Sequence, residues 1–154
     1  RMPEAEIKLD NLSKCLEEAF LLYFNTRKDI KLNLIKPKND IYFHFDTLQI
    51  SRCFGNLIKN AIEAVEKIPN PAVEVLLATD DKNIIIEIKD NGVGIDEKML
   101  SKIFEPYFTT KTKGTGLGLS IVKRIIEDHG GKIKIEKNKN MAGTKSLINF
   151  EYNA

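Results

Sequence analysis

Three glycines on alternate positions, Gly114, Gly116 and Gly118 in the run GTGLGL, lead into the amphipathic stretch LGLSIVKRIIEDHG. A chain built this way brings bare backbone N–H groups to a helix N-terminus with no Cβ in front of them, which admits a phosphate oxygen. A glycine cluster before a helix is also compatible with a plain flexible loop, so the reading depends on the rest of the chain. Two further segments agree with it: DNGVGI at Asp90 to Ile95, and the pair Asn56/Asn60.

The totals narrow the class. At 154 residues the chain is long enough for one domain with a substantial core and short for two. No apolar run approaches the roughly 20 residues needed to cross a bilayer. A net charge of +2 creates no field suited to nucleic acid, and the lysines between Lys132 and Lys139 read as the solvated face of a strand. Cys15 and Cys53 fall among apolar residues of predicted helices, with no CxxC and no Cys/His spacing. They read as small core residues in a reducing compartment, without structural zinc. The chain opens on Arg1 with no signal-peptide pattern and reads as a fragment, with residues 1–9 the tail of a missing domain or a linker and 10–154 the folded unit.

Periodicity sets out the elements. Leu12, Leu16, Ala19, Phe20 and Tyr23 recur at helical spacing, and Asp10 is the expected N-cap of a helix ending near Arg27. The segments Ile30 to Ile35 and Ile41 to Phe45 flank the turn Pro37 to Asp40 and read as a hairpin. Asp46 or Thr47 can cap a second helix to about Lys67, its buried stripe formed by Ile50, Cys53, Phe54, Leu57, Ile58, Ala61 and Val65. Ala72 to Ala78 and Asn83 to Lys89 read as paired strands, the second central and buried, with Asp90 at its end. A short helix near Glu97 to Phe104 precedes the glycine run. A third helix then ends at His129-Gly130-Gly131, and strands Lys132 to Glu136 and Lys145 to Glu151 follow. Helices and strands are mixed without regular βαβ alternation. The expected fold is therefore α+β, a two-layer α/β sandwich with a mixed sheet covered by helices on one face.

Asn56, Asn60 and Glu63 share one face of the second helix. Two amide oxygens there can complete an Mg²⁺ shell otherwise made of phosphate oxygens and water, although a solvated polar face is the alternative. Asp90 can be an ordinary turn aspartate in Asp-Asn-Gly. As a buried carboxylate it would accept from the exocyclic amine of adenine and meet the guanine carbonyl acceptor to acceptor. Gly92 and Gly94 would let a flat base approach the backbone, and Asn91 could reach phosphate or sugar. The segment FEPYFTTKTK, broken by Pro106, reads as a lid. In it Lys111 and Lys113 could meet γ-phosphate charge, while Phe104, Tyr107 and Phe108 could anchor it or simply pack. His44 and His129 read as structural.

Taken together these segments resemble the ATP-binding catalytic domain of sensor histidine kinases, within the family that also holds gyrase, HSP90 and MutL ATPases. NLIKNAIEA resembles the asparagine box and DNGVGI the first glycine box. IFEPYFTT resembles the phenylalanine box, and KGTGLGLSIVKRIIEDHGG the second glycine box with its helix. The details NAIEA and YFTTK look most like nitrogen-regulation kinases of the NtrY type. The resemblance implies the Bergerat fold, and it implies ATP and Mg²⁺ as ligands. By it Asn56 and Asn60 would hold Mg²⁺, Asp90 would bind adenine, Thr144 would support that contact, and Lys113, Gly114, Thr115, Gly116, Leu117 and Gly118 would line the phosphate loop. Glu63 stands where many sensor kinases carry a cation, which makes Lys111 the first candidate for the γ-phosphate.

No phosphoacceptor histidine box is present, so the resemblance implies the catalytic half of a larger kinase. Its partners would be the dimerisation and phosphoacceptor domain of the same protein and a response regulator, with no nucleic acid. The parent would be a homodimer in the inner membrane of a bacterium, with this domain cytoplasmic. Two rivals of the same fold are an ATP-hydrolysing clamp and a stand-alone serine kinase that binds a sigma factor. The clamp would need a glutamate where Asn56 stands.

Overall fold

The computed structural model describes residues 4–106, 118–139 and 142–152. In chain order its elements are β1 (Lys8–Asn11), α1 (Leu12–Phe24), β2 (Lys31–Ile35), β3 (Tyr42–Phe45), α2 (Thr47–Val65) and β4 (Ala72–Thr79). They continue with β5 (Asn83–Asp90), α3 (Glu97–Leu100), α4 (Gly118–Asp128), β6 (Lys132–Lys137) and β7 (Thr144–Glu151).

Five strands form one sheet in the order β2-β4-β5-β7-β6. The β2–β4 pair is parallel and the other three pairs are antiparallel, so the sheet is mixed, with β5 in the middle as its Ile-rich sequence requires. Strand alternation puts Val73, Val75, Leu77, Ile84, Ile86, Ile88, Ile148 and Phe150 on one buried face. Against them pack the apolar stripes of α1, α2 and α4, including Leu12, Leu16, Phe54, Leu57, Ile58, Ile125 and Ile126. The result is the two-layer α/β sandwich expected from the sequence. Cys15 and Cys53 are both free and buried within it, and loss of solvation pushes both thiols up to about 12. The opposite sheet face carries linked charges, Lys89–Glu87, Lys145–Glu87 and Lys145–Glu136. At one open edge lies β6, with Lys132, Lys134 and Lys137 exposed along it.

Three local expectations need correction. The N-cap of α1 is Asn11, whose Oδ1 accepts from Lys14 N at 2.9 Å; Asp10 is one residue too early. The Asp10 carboxylate instead accepts from Asn11 N and from Thr47 Oγ1, tying the strand to the start of α2. The expected hairpin is absent too. β2 runs parallel to β4, and β3 pairs with β1 in a separate two-stranded ribbon, Lys8 opposite Phe45 and Asn11 opposite Tyr42. The turn that looked like a hairpin is a crossover held by Leu12 N to Ile41 O and Ile41 N to Ser13 Oγ, both 2.8 Å. The folded unit also starts before Asp10, since Glu6 N donates to Asp46 Oδ2 at 2.7 Å and Lys8 and Leu9 belong to β1.

The register makes a direct test. Ile86 faces the helices and is fully buried, whereas its neighbour Ile85 faces the charged side and is half-buried. In urea denaturation, Ile86→Ala is expected to cost about 2–5 kcal/mol and Ile85→Ala distinctly less. The reverse order would contradict this strand register.

Candidate functional site

The second half of α2, the end of β5, the start of α4 and the β6–β7 turn come together at one end of the sheet. On α2, Asn60 Nδ2 donates to Asn56 Oδ1 at 3.1 Å, one helical turn apart as the spacing requires. Asn56 also lies against α4. A Cβ built on Gly118 would be only 2.7 Å from Asn56 Nδ2, so a side chain there would displace the Asn56 carboxamide.

Asp90 ends β5 with 6% of its surface exposed. Its Oδ1 accepts from Gly92 N at 2.9 Å and from Thr144 N at 3.3 Å. Among the described residues no hydrogen bond reaches Oδ2. Burial raises the Asp90 carboxyl above the usual carboxylate range, opposed by the N–H groups of Gly92 and Thr144. The backbone is fixed as well: Asn138 Nδ2 donates to Asp90 O at 2.6 Å. Gly143, at φ 113°, lies so close to that carbonyl that any Cβ would overlap it. Asn138 carried no sequence signal, because its partner is a main-chain oxygen 48 residues away.

Two residues that the sequence reading gave to the ligand also have structural partners. Asn91 does not point a free amide at phosphate or sugar: its Oδ1 accepts from Ala72 N and its Nδ2 donates to Asn70 O, both at 2.8 Å. It locks the loop ahead of β4. Gly92 packs so closely on α2 that an added Cβ would overlap the Ala64 carbonyl oxygen. Gly94, at φ 80°, lines an open cleft of about 550 Å³ with Ile95, Lys137, Asn138 and Gly143.

The phenylalanine segment begins with Ile103 buried and Phe104 half-buried, the Phe104 ring centroid 5.3 Å from Lys123 Nζ on α4. Tyr107, Phe108, Lys111, Lys113, Gly114, Thr115, Gly116 and Leu117 lie outside the described residues. His44 is exposed on β3 opposite Leu9. His129 closes α4 and accepts from Asp46 N through Nε2 at 3.0 Å.

The donor set of this region is neutral amide plus one carboxylate. Among the described residues no group of three or more His, Cys, Asp or Glu side chains could hold a metal by itself. A cation beside Asn56 and Asn60 would therefore take its remaining ligands from phosphate and water, the shell that Mg²⁺ prefers.

A family profile described as histidine kinase-, DNA gyrase B-, and HSP90-like ATPase matches residues 45–153. The chain belongs to that family. The nucleotide of the family is ATP, and the matched span carries Asn56, Asn60, Asp90 and Thr144. Among solved structures, the nucleotide-free catalytic domain of histidine kinase ThkA is 32% identical, with a TM-score of 0.84 over 95% of this chain and 97% of that one. This chain is thus a histidine-kinase-type ATPase domain. ThkA in complex with response regulator protein TrrA is also similar, at 28% identity and a TM-score of 0.81 over 96% of this chain and 42% of that one. Sporulation kinase A of Bacillus subtilis is 41% identical over 91% of this chain and 23% of its own length. Nitrogen regulation protein NtrY of Azorhizobium caulinodans is 31% identical over 88% of this chain and 18% of its own. The chain therefore spans about a fifth of the length of these curated relatives.

Asp90 offers a prediction with opposite signs for stability and binding. A carboxyl raised in the folded state contributes stability below the ordinary carboxylate range, and that contribution is lost as pH rises through the raised value. At neutral pH Asp90→Asn is therefore expected to raise the melting temperature of the unliganded domain, the gain shrinking below about pH 4. The same change puts an N–H where Oδ2 stands and should weaken ATP by about 10-fold or more. Thermal melts and calorimetric titration read the two effects. A variant that is less stable at neutral pH, or that binds ATP unchanged, would contradict the account.

Proposed function

We propose that this domain binds ATP with Mg²⁺ and delivers the γ-phosphoryl group to a histidine on the dimerisation domain of a larger sensor histidine kinase. From there the group passes to a response regulator. The observation that carries the reading is the buried Asp90 carboxylate, with Oδ1 held by Gly92 N and Thr144 N and Oδ2 left to accept an adenine amine. Asn56 and Asn60 would hold Mg²⁺, which when bound neutralises charge on the phosphates. The start of α4 at Gly118, with Lys113 to Leu117 before it, would receive the phosphate oxygens. Lys111 would face the γ-phosphate.

In the transfer, an imidazole nitrogen of the acceptor forms a bond to the γ-phosphorus. The bond from that phosphorus to its bridging oxygen breaks, and ADP leaves. Such chemistry needs positioning and charge neutralisation more than a reactive side chain. A carboxamide at Asn56 cannot take a proton from water, which favours transfer over a hydrolytic clamp. The sensor and sporulation kinases among the relatives support a histidine kinase over a stand-alone serine kinase. The ThkA–TrrA complex supports a response regulator as the final acceptor.

The finer reading, a nitrogen-regulation kinase, draws on NtrY and on a 41% identical NtrY-like sensor kinase of Rickettsia bellii. Sporulation kinase A, equally similar over more of this chain, supports the sensor-kinase class without that branch. We further propose that the parent is a homodimer in a bacterial inner membrane with this domain in the cytoplasm. No described helix is long and apolar enough to cross a membrane.

Labelled ATP with Mg²⁺ and a separately produced dimerisation domain tests the proposal. The added piece should acquire an acid-labile phosphohistidine, while the chain alone acquires almost none and hydrolyses ATP slowly. Asn60→Ala should lower labelling by at least about 10-fold while leaving the fold intact. Efficient labelling of His44 or His129, rapid turnover by the chain alone, or wild-type labelling by Asn60→Ala would overturn it.

A further inference from the structure

Helices α2 and α4 touch at both ends, in opposite senses. Gly118, at the start of α4, lies against Asn56 in the middle of α2, and His129, just past the end of α4, meets Asp46, the N-cap of α2. The two helices are therefore antiparallel. From Gly118 to His129 is about 16 Å along one axis, and from Asp46 to Asn56 about 15 Å along the other. Between these ends Val122, Ile125 and Ile126 of α4 are buried in the same core cluster as Ile50, Cys53, Phe54 and Leu57 of α2.

Apolar contact of this kind holds two helices together and gives a broad preference for register through side-chain interdigitation. A directional contact narrows further how far along α2 the start of α4 sits. At the Gly118 end the contact is a close approach to the Asn56 side chain. At the other end it is a hydrogen bond 83 residues long in sequence: Asp46 N donates to His129 Nε2 at 3.0 Å.

The imidazole is held on its other side too. Nδ1 lies 2.7 Å from Ile125 O, the carbonyl one turn back, and an oxygen there can only accept. Nδ1 therefore carries the proton and Nε2 presents a lone pair to Asp46. The end of α4 is itself well formed around this pairing. Gly130 N bonds Glu127 O and Gly131 N bonds Ile126 O, at 3.0 and 2.9 Å, which closes the helix immediately after His129. Asp46 is equally fixed, with Oδ1 accepting from Gln49 N and Oδ2 from Glu6 N.

We propose that His129 is a positioning residue for nucleotide binding: by accepting from Asp46 N it sets the register of α4 on α2, and so holds Gly118 against Asn56 at the far end of the pair. The inference rests on the reading of Asn56 and the start of α4 as phosphate-side elements. His129 itself touches no part of that region and acts through the rigid helix.

The test compares the unaltered chain with His129→Leu, which keeps bulk but removes both polar atoms, and with His129→Gln, whose carboxamide oxygen can accept from Asp46 N. ATP affinity is measured by calorimetry, and the side-chain amide signals of Asn56 are followed by ¹⁵N NMR. His129→Leu is expected to weaken ATP by about 10-fold, the equivalent of one hydrogen bond, and to shift the Asn56 signals. His129→Gln is expected to recover most of both effects. Should the leucine variant not fold, His129→Asn gives the same comparison, because its shorter side chain reaches Ile125 O but not Asp46 N. Unchanged ATP affinity, unmoved Asn56 signals, or a glutamine variant as impaired as the leucine one would each overturn the role of His129. Failure of the unaltered chain to bind ATP would instead remove the nucleotide reading itself, and this inference with it.

Discussion

Burial of the apolar stripe of α2 against the central strand is the interaction on which the other elements depend. Phe54, Ile58, Ile62 and Val65 are almost completely excluded from solvent, and α1, α4, β4 and β5 all reach the same helix. With α2 seated on the sheet, its polar edge at Asn56 and Asn60 is carried to the strand end where Asp90 stops β5. Hydrophobic area provides the attachment, at about 1.5–3 kcal/mol for each large side chain. Directional bonds then decide orientation. Asp46, for example, caps α2, receives Glu6 and offers its own N–H to His129.

The Asp90 site shows the complementary economy of charge. A carboxylate taken out of water is disfavoured unless hydrogen bonds replace its hydration, and here only two N–H groups, both on one oxygen, do so among the described residues. The unliganded fold is left under electrostatic tension at this one position. A ligand amine at the other oxygen would relieve it. Under the proposed nucleotide contact, an adenine amine would meet this carboxylate donor to acceptor and relieve the cost that raises it.

Much of this was legible in the sequence, for reasons that differ by element. α2 was readable because a long apolar period and the cap at Asp46 agree, and β5 because an uninterrupted isoleucine run has few alternatives to a central strand. Asp90 and the Asn56/Asn60 pair stood out as polar groups at costly positions. The ribbon of β1 and β3 was not legible: KLDN is short and polar, and nothing local says that its partner lies more than thirty residues away. The same blindness misplaced the cap at Asp10 and turned a crossover into a hairpin. At the site, Asn91 and Gly92 were assigned to the ligand because they sit inside a motif. Their contacts to Ala72, Asn70 and Ala64 are tertiary, and no spacing reveals them. Asn138 escaped for the same reason.

Strand β6 has an implication that concerns neighbours more than nucleotide. As the last strand of its sheet among the described residues, it presents a row of main-chain donors and acceptors along its outer edge. Such a rim is a template on which another molecule's strand can pair, and a crowded solution would supply candidates continually. Lys132, Lys134 and Lys137 stand exposed along it. Two copies approaching rim to rim would bring like charges together before any main-chain bond could form. Charge along such a rim opposes sheet-to-sheet pairing between copies.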